Sequence, residues 1–161
     1  MQEKIKKIFQ NSIHLRGTVL NETVDVERKI DDYLSNYFCK NELIGNELKE
    51  MLWNTERTTL GSKKDILFIL LNRYEKTLLK EHPTFIDTLE RIIPHRNIFA
   101  HLSVDYSNDV LERENVEVVF KKYNKGKLDP KVYKKEDLIK FKSDFKTINI
   151  FLDILLTSKA P

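Results

Sequence analysis

The sequence predicts a mainly helical fold with one short β-hairpin inserted before its last helix. Glycine and proline number only four each in 161 residues, which favours long helices over a loop-rich all-β fold. Between about Arg16 and Cys39, apolar residues recur every three or four positions, which is typical of a helix with one buried face. After His101 this period gives way to short apolar runs around a turn sequence, which indicates paired strands.

The first half of the chain is predicted to be a series of helices. Residues 3–12 should form a short amphipathic helix ahead of the long one. We expect a break over residues 41–45 and a short helix over residues 47–54. The next helix should start at Gly61, with the Ser62 side chain as its cap. The buried face of that helix is predicted to hold Ile66, Ile69, Leu70, Tyr74 and Leu78.

A further helix should follow the turn at residues 82–84. Its predicted buried residues are Phe85, Ile86, Leu89, Ile92 and Ile93. Pro94 lacks a backbone N–H and clashes with the preceding turn, so the helix is expected to kink or restart there. His14 and His82 fall at predicted helix ends, where structural roles are expected.

The last third should contain the hairpin and the closing helix. Residues 116–120 and 131–133 have the composition of strands, and residues 124–126, Asn-Lys-Gly, are typical of a turn between them. Helical spacing returns from about residue 135 to 156. We find no internal repeat or linker, so one domain over residues 1–161 is predicted.

Several classes of protein and site are disfavoured. Cys39 is the single cysteine, so an internal disulfide or a thiol cluster is excluded, and a buried structural thiol is expected. Residues 1–7 lack the apolar core of a signal peptide, and the longest apolar run, residues 66–71, is too short for a membrane span. A cytoplasmic protein without membrane contact is predicted. We see no phosphate-binding loop, zinc helix or nucleophile elbow, and no metal or organic cofactor is expected.

Positive charge is concentrated near the C-terminus. Residues 121–146 hold ten lysines and four acidic residues, so this stretch carries +6 and the rest of the chain −3. Such a surface can attract a phosphate backbone. The candidate nucleic-acid-binding residues are Lys121, Lys122, Lys125 and Lys127. The alternative is a solvated, lysine-rich surface that maintains solubility.

The chemically distinctive segment follows Pro94. Arg96 can bind a phosphate through its forked guanidinium, His101 can exchange a proton near neutral pH, and Asn97 can orient either side chain. Metal-free cleavage of an RNA phosphodiester needs such groups. On a continuous helix Arg96 and His101 lie about 140° apart. They would therefore share a face only if the Arg96 side chain bends round or the helix ends before His101.

The alternatives for this segment are structural. Arg96 would pair with an acidic residue, and His101 would cap the end of a helix. His95 is a possible auxiliary proton carrier, and its alternative is a solvent-facing helix position.

The Arg96-Asn97-x3-His101 pattern resembles the signature of the HEPN superfamily, an Arg and a His separated by four to six residues of which the first is polar. Residues 15–20 also resemble the mannitol-repressor-like branch. The resemblance implies a helical bundle that forms a homodimer with two motifs facing one cleft. Many such proteins are metal-independent endoribonucleases of toxin, defence or RNA-processing systems. On that model Arg96 binds the scissile phosphate, His101 is the general base or acid, and Asn97 orders the site.

The same resemblance leaves other functions open. Toxin members that a nucleotidyltransferase antitoxin silences tend to carry Tyr two residues after the His, where this chain has Ser103, so this mode of silencing is not expected here. A cognate antitoxin or a regulatory protein stays among the expected partners. The second function is a non-catalytic HEPN-like dimer that acts as a regulator or partner-binding module. The third is a DNA-binding protein that uses the basic C-terminal third.

Overall fold

The computed structural model describes residues 1–55 and 58–158, and these form seven α-helices and four short strands. The helices are α1 (Gln2–Phe38), α2 (Glu42–Leu48), α3 (Leu60–Tyr74), α4 (Lys76–Glu81), α5 (Phe85–His101), α6 (Asn108–Glu112) and α7 (Lys135–Thr157). Lys49–Trp53 continues α2 as a π-helical turn. The strands are β1 (Val118–Phe120), β2 (Tyr123–Asn124), β3 (Lys127–Leu128) and β4 (Lys131–Tyr133). The predicted fold, mainly helical with a hairpin before the last helix, is confirmed.

The chain divides into two compact units. The first contains residues 1–22 and 94–143, and the second contains residues 23–93 and the chain from Asp144 onward. A single domain over residues 1–161 stays a prediction. Among the described residues, no helix has both the length and the apolarity to cross a membrane.

The first unit has an aromatic core beneath the C-terminal half of α5. Phe99 is fully buried, with its ring centroid 5.1 Å from that of Phe120 and 4.8 Å from that of Tyr133. Phe141 of α7 completes the cluster, 5.9 Å from Phe99. Because these rings come from α5, β1, β4 and α7, they hold the hairpin and the end of α5 together.

The hairpin is antiparallel throughout. β1 pairs with β4, with Val118 opposite Tyr133, and β2 pairs with β3, with Tyr123 opposite Leu128. Between β2 and β3, Lys125 and Gly126 have φ values of 49° and 80°. Two successive positive φ values are typical of the two-residue hairpin turn, which needs glycine or a tolerant residue. The predicted turn over residues 124–126 is thereby confirmed.

The second unit is built from helices and buries three charged residues, Asp31, Lys63 and Asp144. The fully buried Val26, Ile30 and Leu34 of α1 belong to its core, as do Leu67 and Leu71 of α3. In the same unit, the rings of Phe85 and Phe151 stack with centroids 3.8 Å apart.

Two predicted helix boundaries near the N-terminus are wrong. Residues 3–12 and the long helix belong to one continuous helix, α1, so His14 lies exposed in mid-helix rather than at a helix end. No proline interrupts this stretch, and a single glycine such as Gly17 costs a helix only about 1 kcal/mol relative to alanine, so the helix continues through it. The predicted break over residues 41–45 is misplaced, because the chain leaves the helix over residues 39–41. There the Asn41 side chain accepts hydrogen bonds from the N–H groups of Leu43 and Ile44 and starts α2.

The start and the buried face of α3 differ from prediction as well. Thr59, not Ser62, is the cap, because its hydroxyl accepts from the Ser62 N–H. Ile69 and Tyr74 are exposed, contrary to prediction. The buried residues of α3 are Leu60, Lys63, Leu67, Leu70 and Leu71. Because the buried face includes the charged Lys63, a search for regularly spaced apolar residues does not identify it.

Pro94 does not restart the helix, since α5 runs through it to His101. Glu90 and Pro94 are both exposed, so water can hydrogen-bond to the Glu90 carbonyl that lacks an N–H partner.

Cys39 is half-buried rather than buried. The last helix, α7, agrees with the prediction to within a residue.

Candidate functional site

The motif residues occupy the last two turns of α5. Ile98 and Phe99 point into the core, at 9% and 0% exposure, whereas Asn97 and His101 are exposed and Arg96 is half-buried. Asn97 and His101 are four residues apart and therefore share one face of the helix. The apolar pair anchors this part of α5 and leaves the polar residues outside.

The Arg96 side chain bends toward that shared face. Its Nη1 donates a hydrogen bond to Oδ1 of Asn97 over 3.1 Å. Because α5 includes His101, the backbone positions of Arg96 and His101 lie about 140° apart around the helix axis. The bend of the Arg96 side chain toward Asn97 directs its guanidinium toward the face that holds His101. In the described part of the chain, no salt bridge involves Arg96, so the alternative in which it pairs with an acidic residue is wrong there.

The C-terminal end of α5 is held by an arginine from α1. The guanidinium of Arg16 donates through Nη2 to the carbonyl oxygen of Leu102, and its Cζ lies 5.1 Å from the centroid of the Phe120 ring. The last carbonyls of a helix have no partner within the helix, so this contact stabilises the end where His101 lies. Sequence reasoning gave Arg16 no such role, because a contact across 86 residues leaves no trace in local spacing.

The residues after His101 extend along the hairpin. The Lys121 N–H donates to the Ser103 carbonyl over 2.8 Å, and the Asp105 N–H donates to the Val119 carbonyl over 2.8 Å. Val104 forms an antiparallel bridge with Phe120. Consequently the backbone two residues beyond His101 is bonded to the residue at which the lysine-rich part of the hairpin begins.

The four candidate lysines are all exposed. Lys121 has an acidic neighbour, since its Nζ lies 3.8 Å from Oδ1 of the buried Asp105. The side chains of Tyr123 and Leu128 are opposite one another in β2 and β3 and are 65% and 52% exposed. The surface beyond β1 and β4 therefore combines positive charge with an exposed aromatic ring.

His95 belongs to the aromatic cluster of the first unit. Its Nδ1 is hydrogen-bonded to the Tyr133 hydroxyl over 2.8 Å, and its ring lies edge-on to Phe141 at 5.0 Å. Burial raises the pKa of Tyr133 above its usual value, so the hydroxyl keeps its proton. The solvent-facing alternative for His95 is wrong, and the structure does not place His95 on the face that Asn97 and His101 share, because it lies about 120° around α5 from His101.

His82 has a structural position, and the described residues form no metal-binding group. His82 ends α4 and its ring lies edge-on to Phe151 at 5.5 Å, in keeping with the predicted helix-end position. Across residues 1–55 and 58–158, no three His, Cys, Asp or Glu residues are grouped so as to hold a metal ion.

Comparison of the chain with protein-family models, with curated proteins and with solved structures finds no match.

Proposed function

We propose that this protein is a metal-independent endoribonuclease of HEPN type. The observation that carries the proposal is the hydrogen bond from Arg96 to Asn97, which brings a permanent cation toward the helix face on which His101 is exposed. Cleavage of a phosphodiester requires at least a group that can transfer a proton and a cation that stabilises the charged transition state.

The reaction divides between the residues as follows. His101 accepts the proton of the ribose 2′-hydroxyl, and the 2′-oxygen attacks the adjacent phosphorus. Arg96 stabilises the negative charge of the phosphorane, while Asn97 orients its guanidinium. The bond from phosphorus to the 5′-oxygen breaks, and that oxygen takes a proton from a second acid. The products are a 2′,3′-cyclic phosphate and a 5′-hydroxyl.

The second acid is proposed to be His101 of a second copy of this chain. One His cannot be base and acid on opposite sides of the phosphorus in a single step, and the first unit presents no second exposed histidine beside Asn97. The proposal therefore requires a homodimer in which two α5 C-termini face one cleft. A protein that sediments as a monomer at assay concentration would contradict it.

The direct test is cleavage of several labelled RNAs in EDTA. His101→Ala should lower the rate by roughly 10²- to 10⁴-fold, the usual size of a general acid–base contribution. Arg96→Ala should lower it by roughly 10²- to 10³-fold, the usual loss when a group that stabilises transition-state charge is removed. The product should carry a cyclic phosphate. His14→Ala and Arg113→Ala remove an exposed His and an exposed Arg of the same unit and serve as matched controls.

The outcomes separate the alternatives. Cleavage that survives both motif substitutions would not depend on Arg96 or His101 and would overturn the proposal. A natural protein that is dimeric but inert on every RNA would support the non-catalytic regulator, and binding of duplex DNA in preference to RNA would support the third function.

A further inference from the structure

We propose that residues 121–129, the hairpin arm, bind single-stranded RNA and present its backbone to His101. This inference names the substrate class of the proposed ribonuclease and rests on that function. The feature that carries it is the attachment of the arm to the end of α5.

The attachment is a short backbone ladder. The hydrogen bond from Lys121 to Ser103 and the bridge from Val104 to Phe120 tie the base of the arm to the residues that follow His101. Farther out, the Asp129 N–H donates to the Lys122 carbonyl over 2.7 Å, and the pairs of β2 and β3 continue to the turn. A strand bound along the arm is thereby guided toward the end of α5.

Charge favours a polyanion on this arm. Lys121, Lys122, Lys125 and Lys127 lie within seven residues, against the single acidic Asp129. All four are exposed, and phosphate neutralisation by exposed lysines is the main source of affinity for nucleic acids. Asp105 offsets part of the charge of Lys121, so the other three carry most of the attraction.

The exposed ring favours a single strand over a duplex. Tyr123 is 65% exposed opposite Leu128, which is 52% exposed, so both lie on one face of the two-residue strands. An aromatic ring at a basic surface can stack on an unpaired base, whereas the bases of a duplex are already stacked on one another. The arm therefore offers one base a stacking partner and its neighbouring phosphates several cations.

The test measures binding without cleavage, in the His101→Ala background. Fluorescence anisotropy with a labelled single-stranded 12-nucleotide RNA compares a triple variant of the arm, K122A/K125A/K127A, with a triple variant on α7, K140A/K142A/K146A. Both remove three exposed lysines. The arm variant should lose at least about tenfold in affinity, and its log Kd against log salt slope should fall by about 2. The α7 variant should bind like the parent.

A second variant tests the ring. Tyr123→Ala should weaken binding of the single strand about tenfold, and Tyr123→Phe should restore it, because phenylalanine keeps the stacking face. Binding of a duplex of equal length should be weaker and insensitive to Tyr123→Ala.

The possible results decide between the two proposals. Equal losses in the two lysine variants, or preference for the duplex, would overturn the role of the arm even if cleavage depends on His101. An inert natural protein whose RNA affinity depends on the arm would leave the binding site standing without the ribonuclease.

Discussion

At the scale of single residues, Lys63 is the most unusual side chain of the second unit. It is 1% exposed, and its Nζ donates to Oε1 of Glu27 over 2.7 Å and to Oδ2 of Asp31 over 2.9 Å. Burial raises the pKa of Asp31 above its usual value, although the hydrogen bond and the charge of Lys63 act in the opposite direction. The positive charge of Lys63 therefore offsets the cost of placing the carboxylates of Asp31 and Glu27 beside one another.

Replacing Lys63 should be severe. Lys63→Met leaves Asp31 and Glu27 without their common cation, and breaking a buried pair by removing one partner costs about 3–5 kcal/mol. The loss would appear as a lower midpoint in urea unfolding. Lys64→Met, at the next residue of α3, removes two surface ion pairs, one with Asp65 and one with Glu90. Such pairs contribute about 0–1 kcal/mol each, so the loss should be clearly smaller. Equal costs for the two substitutions would mean that the buried pair contributes no more than a surface one.

Tyr33 gives a prediction of opposite sign. Its hydroxyl is buried without a hydrogen-bond partner in the described residues, and burial, with the charge of Glu75, raises the pKa of Tyr33 to about 12. Tyr33→Phe removes an unsatisfied polar group, so the free energy of unfolding should rise by about 1 kcal/mol. Tyr133→Phe, which loses the bond to His95, should lower it by a similar amount.

The pH dependence provides a second measurement on the same variant. Between pH 10 and 12 the Tyr33 of the unfolded chain ionises while that of the folded chain does not, so stability present below pH 10 is lost as pH rises. Urea unfolding from pH 9 to 11.5 should show a smaller decline for Tyr33→Phe than for the natural protein. Parallel declines would indicate that Tyr33 ionises equally well in the folded state.

At the scale of elements, the start of α3 shows which residue caps the helix. The hydroxyl of Thr59 accepts from the Ser62 N–H at 3.2 Å and lies 3.0 Å from the Ser62 hydroxyl. An N-terminal N–H without a partner inside the helix is satisfied in this way. Ser62, which the sequence pattern predicts as the cap, is instead the residue whose N–H donates.

Two alanine substitutions distinguish these roles. Thr59→Ala should lower the free energy of unfolding by about 1 kcal/mol because the cap is lost. Ser62→Ala keeps the backbone N–H and the Thr59 acceptor, so its effect should be a few tenths of that. Thermal melts followed by circular dichroism would measure both, and a larger loss for Ser62→Ala would place the cap where the sequence first suggested.

Elements whose apolar residues repeat without interruption were predictable. The stripe of α7 and the Asn-Lys-Gly turn both had strong local signals, and their positions agree with the structure. The continuity of α1 was not predictable, because Phe9 and Ile13 are apolar but exposed. They interrupt the regular spacing of buried apolar residues where two helices were expected to meet. The face of α3 was missed because its buried Lys63 depends on acidic residues more than thirty positions earlier.

The candidate site also has some features that the sequence predicts and others that it does not. Arg96, Asn97 and His101 stand out through residue type and spacing within one helix. The bend of Arg96 toward Asn97 depends on side-chain geometry, and the contacts of Arg16 and of Lys121 depend on tertiary pairing. Such features are set by packing rather than by local periodicity, so a single sequence does not reveal them.

At the scale of the whole molecule, charge follows the division into units. The first unit has 15 Lys and Arg against 10 Asp and Glu, and the second has 13 against 15, giving formal charges of +5 and −2. The motif of α5 and the hairpin arm both belong to the positive unit. A polyanion would therefore be drawn to the unit that contains the proposed site.

This distribution predicts a steep salt dependence of RNA binding. If Arg96 and the four lysines of the hairpin arm each neutralise one phosphate, log Kd should change by about 3.5 per tenfold change in salt. Raising monovalent salt from 50 to 200 mM should then weaken binding by roughly 100-fold, as measured by anisotropy with the His101→Ala protein. A slope below about 1 would show that these residues do not contact phosphates together.

The way the hairpin arm is rooted has a consequence for how such a protein can diversify. The Val104 to Phe120 bridge and the pairing of β1 with β4 lie below the arm, between its tip and the aromatic core. Changes in length or sequence around Lys125 and Gly126 would leave these pairs, and the end of α5, in place. If the arm binds RNA as proposed, substitutions at its tip can alter which strands bind without disturbing the residues proposed to cut them. The tip is then also a suitable position for a fluorescent label that reports binding.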